Sequence, residues 1–353
     1  MITVRGVPAT SIPSVLRRGA AELPRHVFIC VADHYEPKWQ AADIATQRAR
    51  VGKWVGEYPR SVEGIADSAG RPPQHTFFYP EEEYESEHLE RLSELCSRGF
   101  GAVEVHLHHD RDTSEELCRR LVCFRERLAA HGLLDKDHNG RVTYGFIHGN
   151  WALDNSHPQG RHCGVNDELT ILRATGCYAD FTMPSAPACC QTRMVNSIYY
   201  AIDDPIRPKS HDRGVPAAVG APPPTEGLLM IQGPLVADWS RRKFGVLPGL
   251  ENGDLQANHP PTLERWKLWL RAGVHVRGRS DWVFVKLHTH GAQENNSAML
   301  LGTPMRNFHE AIAKWAAEHS VCKYYYVTAR EMAQLVHQAE LGATEPRFRV
   351  GAR

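Results

Sequence analysis

The 353-residue chain is long enough for one large domain or two ordinary ones, and it balances 41 Lys plus Arg against 41 Asp plus Glu. Zero formal charge argues against a nucleic-acid partner, which would call for surplus Lys and Arg, and against an acidic solvating tail. A hydrophobic content of 42% with a mean hydropathy of -0.42 fits an ordinary globular protein with a substantial core.

The N-terminal segment has no unbroken apolar run, because Pro8, Pro13, Arg17, Arg18 and Pro24 interrupt it. No apolar stretch reaches the roughly 18 residues of a membrane-spanning helix, so the expected location is the cytoplasm. The first strand is predicted at 26–32 (HVFICVA). The next, at 102–108 (AVEVHLH), alternates strictly, with Val103, Val105 and Leu107 on one face and Glu104, His106 and His108 on the other. Thr113 and Glu116 form a capping box for a helix that runs to about His131. A strand follows at 142–147, then a loop rich in His, Asn and Gly, a helix at 167–175 closed by Gly176, and a short strand at 178–182.

The segment 203–225 is Pro-rich and without period, and reads as an ordered loop or lid. Later strands are expected at 228–232, 282–288 and 324–327. Helices are expected at 263–272, at 305–319, and from Thr328, whose capping box with Glu331 opens the last one. About seven parallel strands alternating with helices, with no low-complexity linker, predict an α/β fold. The arrangement expected is a single distorted (β/α) barrel over 1–353.

Nine cysteines include no C-x-x-C pair and read as reduced thiols; the adjacent Cys189 and Cys190 alone are a weak metal or redox signal. The unusual feature is twenty histidines. Many of them collect with carboxylates just after predicted strands, where parallel α/β folds build their active sites. The clusters are Asp33, His34 and Glu36; His106, His108, His109, Asp110 and Asp112; His148, Asn150, Trp151, Asp154 and Asn155; and His288 with His290. Any one of them could be a satisfied histidine or a loop-capping Asp. Four at separate strand ends point instead to a divalent-metal hydrolase, because imidazole and carboxylate are the donors for zinc, or alternatively for iron, cobalt or nickel.

The order of these clusters resembles the polysaccharide deacetylase superfamily over about residues 26 to 340. VADHYEP is similar to its first motif, with Asp33 in the general-base position and His34 in the first metal position. EVHLHHDRD resembles the second, which places the other metal ligands at His108 and Asp112; His106 with Asp110 offers the same spacing. FIHGNW corresponds to the third, with His148 where the family has Arg. DELTILRATGCYADFTMPSAP resembles the helix and strand that follow it. WVFVKLHTHG is similar to the last, whose histidine, here His288 or else His290, protonates the leaving group, and VTAREM resembles the closing strand-to-helix step. The family triad is Asp, His, His; His34, His108 and Asp112 keep two imidazoles and one carboxylate.

The resemblance implies metal-dependent removal of N- or O-acetyl groups from a carbohydrate. Backbone N–H groups near His148 to Asn150 would face the oxyanion, with His148, Asn150, Trp151 and Asn155 toward the substrate. A glycoside hydrolase or lyase, with Asp33 paired to Asp110, Asp154 or Asp203, is the enzymatic alternative. A non-catalytic polysaccharide-binding barrel is the other. A carbohydrate is the expected partner under each reading, and the sequence sets no oligomeric state.

Overall fold

In this computed structural model residues 3–16, 23–243 and 246–348 are described; Arg17 and Arg18 of the interrupted N-terminal run lie outside them. The central sheet has eleven strands: β1 His26–His34, β2 His75–Pro80, β3 Gly101–Leu107, β4 Tyr144–His148, β5 Cys177–Asp180, β6 Ile198–Ile202, β7 Val215–Pro216, β8 Gly227–Ile231, β9 Asp254–Leu255, β10 Trp282–Thr289 and β11 Lys323–Tyr326. Pairing is parallel throughout except at β6, which runs antiparallel to β8 and β7. The α/β class and the predominance of parallel strands therefore hold. Strand pairing runs from β9 to β7 without joining these two edges.

Strand β1 organises the sheet. One edge pairs with β10 from His26↔Trp282 to Asp33↔Thr289. The other is shared: β11 takes residues 26–29 and β2 takes 32–34. Every residue of β1 is buried, and its alternation feeds two cores. Val27, Ile29 and Val31 pack beneath the helices α1 Ile44–Ser61, α2 Ser86–Ser97, α3 Ser114–Ala130, α4 Glu168–Thr175 and α5 Leu263–Ala272. Phe28, Cys30 and Ala32 face the opposite core, which holds the apolar side of the last helix, Ala329–Glu340. The sheet is strongly curved. Lys286 Nζ on β10 donates to the carbonyl of Phe181, just past β5, at 2.8 Å, although four strands stand between them in the sheet order.

Local chemistry sets the helix starts. Thr328 and Glu331 complete the expected reciprocal capping box. Thr113 accepts the Glu116 N–H, while the Glu116 carboxylate turns to Arg119 instead of closing the box. Segment 203–225 includes the short strand β7 and buries His211 and Ala217; it packs against Asp154 through the Ser210 N–H, and none of it lines the cleft described below. The nine cysteines are free thiols, and no described helix is long and apolar enough to cross a membrane.

Candidate metal centre

Parallel pairing brings the C-terminal ends of β1, β2, β3, β4, β9 and β10 to one end of the sheet, where they surround a cleft of about 480 Å³. Groups capable of holding a metal gather here at the ends of β1 (His34, Glu36), β3 (His108, with His106 buried beside it) and β10 (His290). The imidazole centroids of His34 and His106 are 4.9 Å apart, as are those of His34 and His290, and His106 and His108 are 4.6 Å apart.

Glu36 joins them. Its Oε1 lies 3.3 Å from His106 Nε2 and 3.5 Å from His108 Nε2. His106 Nδ1 is 2.9 Å from the Ile147 carbonyl, which fixes Nδ1 as the donor and leaves the Nε2 lone pair toward Glu36 in the neutral ring. His108 Nδ1 lies 2.5 Å from Glu82 Oε1, so its Nε2 also turns inward. One set of ligand-capable atoms on Glu36, His106 and His108 lies within 4.8 Å of one another, and so does a second set on His34, Glu36 and His290. Glycine at 149 is required for this packing, since a Cβ there would collide with the His108 ring.

Burial and neighbouring charges move these groups in different directions. Burial, reinforced by the neighbouring histidines, drives His34 well below the usual imidazole range, and burial lowers His290. Burial alone would raise Glu36, but the hydrogen bond and charge of His106 outweigh it and hold the carboxyl below its ordinary value. His108 moves up despite its burial because of Glu82.

Trp39 and Trp151 stand over this floor, with ring centroids 6.4 Å from His290 and 6.2 Å from His34 respectively. Asn150 and Trp151 both hold left-handed backbone, at φ 55° and 56°, a strained conformation for a tryptophan. The facing wall carries the amides of Gln256, Asn258, Gln293, Asn295 and Asn296. Arg265 supports that wall: its guanidinium grips both oxygens of buried Glu251 at 2.8 and 2.9 Å and donates to the carbonyls of Asp254 and His259, on either side of Gln256 and Asn258.

The remaining residues singled out in the sequence lie elsewhere. Asp33 points to the helix-covered face. Its Oδ1 accepts the Gly291 N–H at 2.6 Å, its Oδ2 is 2.9 Å from His75 Nε2, and it does not line the cleft. A Cβ on Gly291 would collide with this carboxylate. His288 is buried under the cleft, with Nε2 3.9 Å from Asp254 Oδ1 and its ring 6.3 Å from His34. Asp110 is half-exposed and accepts the His162 N–H. Asn155 bonds Asn166. Asp112 turns away from His108 to lie 3.2 Å from His109 Nδ1. His148 is fully buried, held neutral by desolvation that takes it down to about 3, and faces Glu168 at 3.7 Å. Asp112 and His148 thus belong to a second, closed cluster, and His34, His106, His108 and His290 to the open one.

Two carboxylates escaped the sequence reading of the site. Glu36 stands in the first cluster but had no assigned role, and Glu82 sits in an EEE run that resembles a solvated charged face.

The chain matches no protein-family model and no curated relative. Among solved structures it is similar to an alpha-mannosidase from Enterococcus faecalis V583, with a TM-score of 0.50 and 9% identity over 89% of this chain. The likeness is one of fold. The chain spans 29% of that enzyme's length.

Proposed function

We propose that this protein is a divalent-metal-dependent hydrolase that removes N- or O-acetyl groups from a carbohydrate, built on a barrel-like scaffold of the polysaccharide deacetylase kind. The observation that carries this reading is Glu36 set between His106 Nε2 and His108 Nε2 at the floor of an open cleft. Two imidazoles and one carboxylate with solvent access are the donor set of a catalytic site that keeps a position free. The outer contacts fit as well, since each ligand histidine has its Nδ1 committed, His106 to a backbone carbonyl and His108 to Glu82. With Nδ1 given to the Ile147 carbonyl, His106 turns Nε2 to the Glu36 carboxylate, a position that a cation between the two would occupy in place of a proton. Zinc is the first choice, with iron, cobalt and nickel compatible with the same donors.

When bound there, such an ion supplies Lewis acidity toward an acyl carbonyl and acidifies water. The chain's own groups supply the rest. His34 and His290 border the same space, and neither ring is hydrogen-bonded to a described residue; they are the imidazoles placed to take up a proton and return it to a leaving group. Asp33, through the Gly291 N–H, fixes the backbone beside His290, which makes it a positioning residue in this scheme. Trp39 and Trp151 offer apolar faces to a sugar ring, and the wall amides offer donors and acceptors to its hydroxyl and acetamido groups.

The likeness to an alpha-mannosidase favours hydrolysis of a glycosidic bond as the second reading. That chemistry usually takes two carboxylates across the scissile bond, and among the described residues lining the cleft Glu36 is the one carboxylate. Deacetylation is therefore preferred. Incubating the zinc-loaded protein with acetylated oligosaccharides separates the two: acetate release without new reducing ends supports the proposal, and reducing ends without acetate overturn it.

A further inference from the structure

Beneath the wall that carries Asn150 and Trp151 lies the closed cluster of His109, His148, Cys163 and Glu168, none of which lines the cleft. His148, Cys163 and Glu168 are fully buried and His109 is 7% exposed. We propose that these four residues form a second metal site, a closed structural one for a zinc-class divalent cation, distinct from the Glu36 centre.

Three observations carry the assignment. The first is spacing. One ligand-capable atom from each residue lies within 4.8 Å of all the others, with Glu168 Oε1 3.3 Å from His109 Nε2 and 3.7 Å from His148 Nε2. Bonds of about 2.0 to 2.3 Å in a tetrahedron imply edges of roughly 3.3 to 3.8 Å. The second is the outer contacts. His148 Nδ1 bonds the Gly149 carbonyl, and His109 Nδ1 lies 3.2 Å from Asp112 Oδ2, within ion-pair range though outside hydrogen-bond geometry, so both rings turn Nε2 inward. This is the arrangement of metal-ligating histidines, one with a carboxylate and one with a backbone carbonyl behind it.

The third observation is an orphan. With Nδ1 protonated toward Gly149, His148 Nε2 bears a lone pair; it is buried without a hydrogen-bond partner and faces a carboxylate. Two acceptors facing each other in a dry interior are costly, and a cation between them removes the conflict. Binding would displace the Cys163 thiol proton and the proton on His109 Nε2, so that the thiolate and the Glu168 carboxylate balance a dication.

The donor chemistry selects the ion. Two imidazoles, a thiolate and one carboxylate suit zinc and disfavour magnesium or calcium, which take oxygen ligands. The four protein ligands leave no open position, so the role is structural. The site would tie the loop after β3, the end of β4, the loop at Cys163 and the start of α4 together, clamping the strained segment that carries Asn150 and Trp151 into the cleft wall.

The test uses the full chain. Glu36→Gln protein, whose cleft centre is disabled, is dialysed against a chelator and assayed for zinc by elemental mass spectrometry, and wild-type protein is reloaded with cobalt(II). The expected results are about one zinc retained per Glu36→Gln chain and a thiolate-to-cobalt charge-transfer band that Cys163→Ser protein lacks. No cysteine lines the cleft, so that band reports the buried site alone. Folded protein that retains no zinc and shows no such band overturns the proposal and leaves a metal-free buried cluster of His109 between Asp112 and Glu168. Retained zinc without the thiolate band also overturns it. The wild-type cobalt spectrum decides even if Cys163→Ser protein does not fold.

Discussion

Glu36 Oε1 faces His106 Nε2 at 3.3 Å while the other nitrogen of that ring is committed to the Ile147 carbonyl. With Nδ1 donating to Ile147, Nε2 of His106 faces the carboxylate, a contact that a proton on Nε2 or a cation between the two groups satisfies; in the proposed site it is the cation. Replacing Glu36 by Gln keeps the shape and removes the charge. The expected outcome is a loss of cleft-metal affinity and of acetate release of about 100-fold or more with the circular-dichroism spectrum unchanged, read by metal titration and product assay. Wild-type metal affinity in Glu36→Gln protein would refute the ligand assignment.

Glu82 tests the next layer. Its carboxylate orients His108 through Nδ1 and touches no other imidazole of the centre. Glu82→Gln is expected to weaken metal binding by about 10- to 100-fold, less than Glu36→Gln, because the ligand survives and its orientation does not. Competition against a chromophoric chelator ranks the two variants, and equal losses would contradict the order.

Asp33 separates a positioning role from the general-base role that the family resemblance implies. With Gly291 N–H and His75 both on a fully buried carboxylate, Asp33→Asn leaves one partner unsatisfied and is expected to cost about 1 to 3 kcal/mol of stability, read by denaturant unfolding. Activity should fall through displaced His290 while both limbs of the pH-rate profile for kcat stay in place. Selective loss of the acidic limb would restore Asp33 as the base.

The wall opposite the tryptophans depends on a buried ion pair. Burial raises the Glu251 carboxyl, but two-point contact with Arg265, helped by the Trp269 indole N–H, outweighs this and holds it below its ordinary value. A carboxyl that is depressed in the folded state contributes stability above its unfolded pKa of about 4.3, and that contribution is lost as pH falls through the folded value. Urea unfolding between pH 7 and 3 should show the loss. Arg265→Met should be destabilising by about 3 to 5 kcal/mol at pH 7, and adding Glu251→Met should recover much of it. Equal stability of single and double variants would contradict the account.

The site was legible in the sequence where it followed from parallel strands. Clusters at the ends of β1, β3, β4 and β10 must share one end of such a sheet, and alternation alone put His106 and His108 on one face. What the sequence hid was the path of the chain beyond the strands. The His108 and Asp112 pairing is what the family resemblance implies, with two ligands four residues apart at the end of a strand. Here Arg111 takes φ 51°, and Asp112 turns back to His109. Asp33 and His34, adjacent in the first motif, necessarily point to opposite faces of β1. Strand β2 (HTFFYP) escaped because it is buried throughout and shows no alternation, and with it went the position of Glu82. Helices α1 and α2 escaped too, although α1 opens on an Asp43 cap.

The central claim is a metal-dependent deacetylase centred on Glu36. Its most direct test follows acetate and reducing ends in parallel on acetylated oligosaccharides, with zinc-loaded wild-type protein, chelator-treated protein and Glu36→Gln protein. The account predicts acetate without new reducing ends, abolished by chelation, restored by zinc and absent in Glu36→Gln. New reducing ends in the absence of acetate, or acetate release at the wild-type rate from Glu36→Gln, would contradict it.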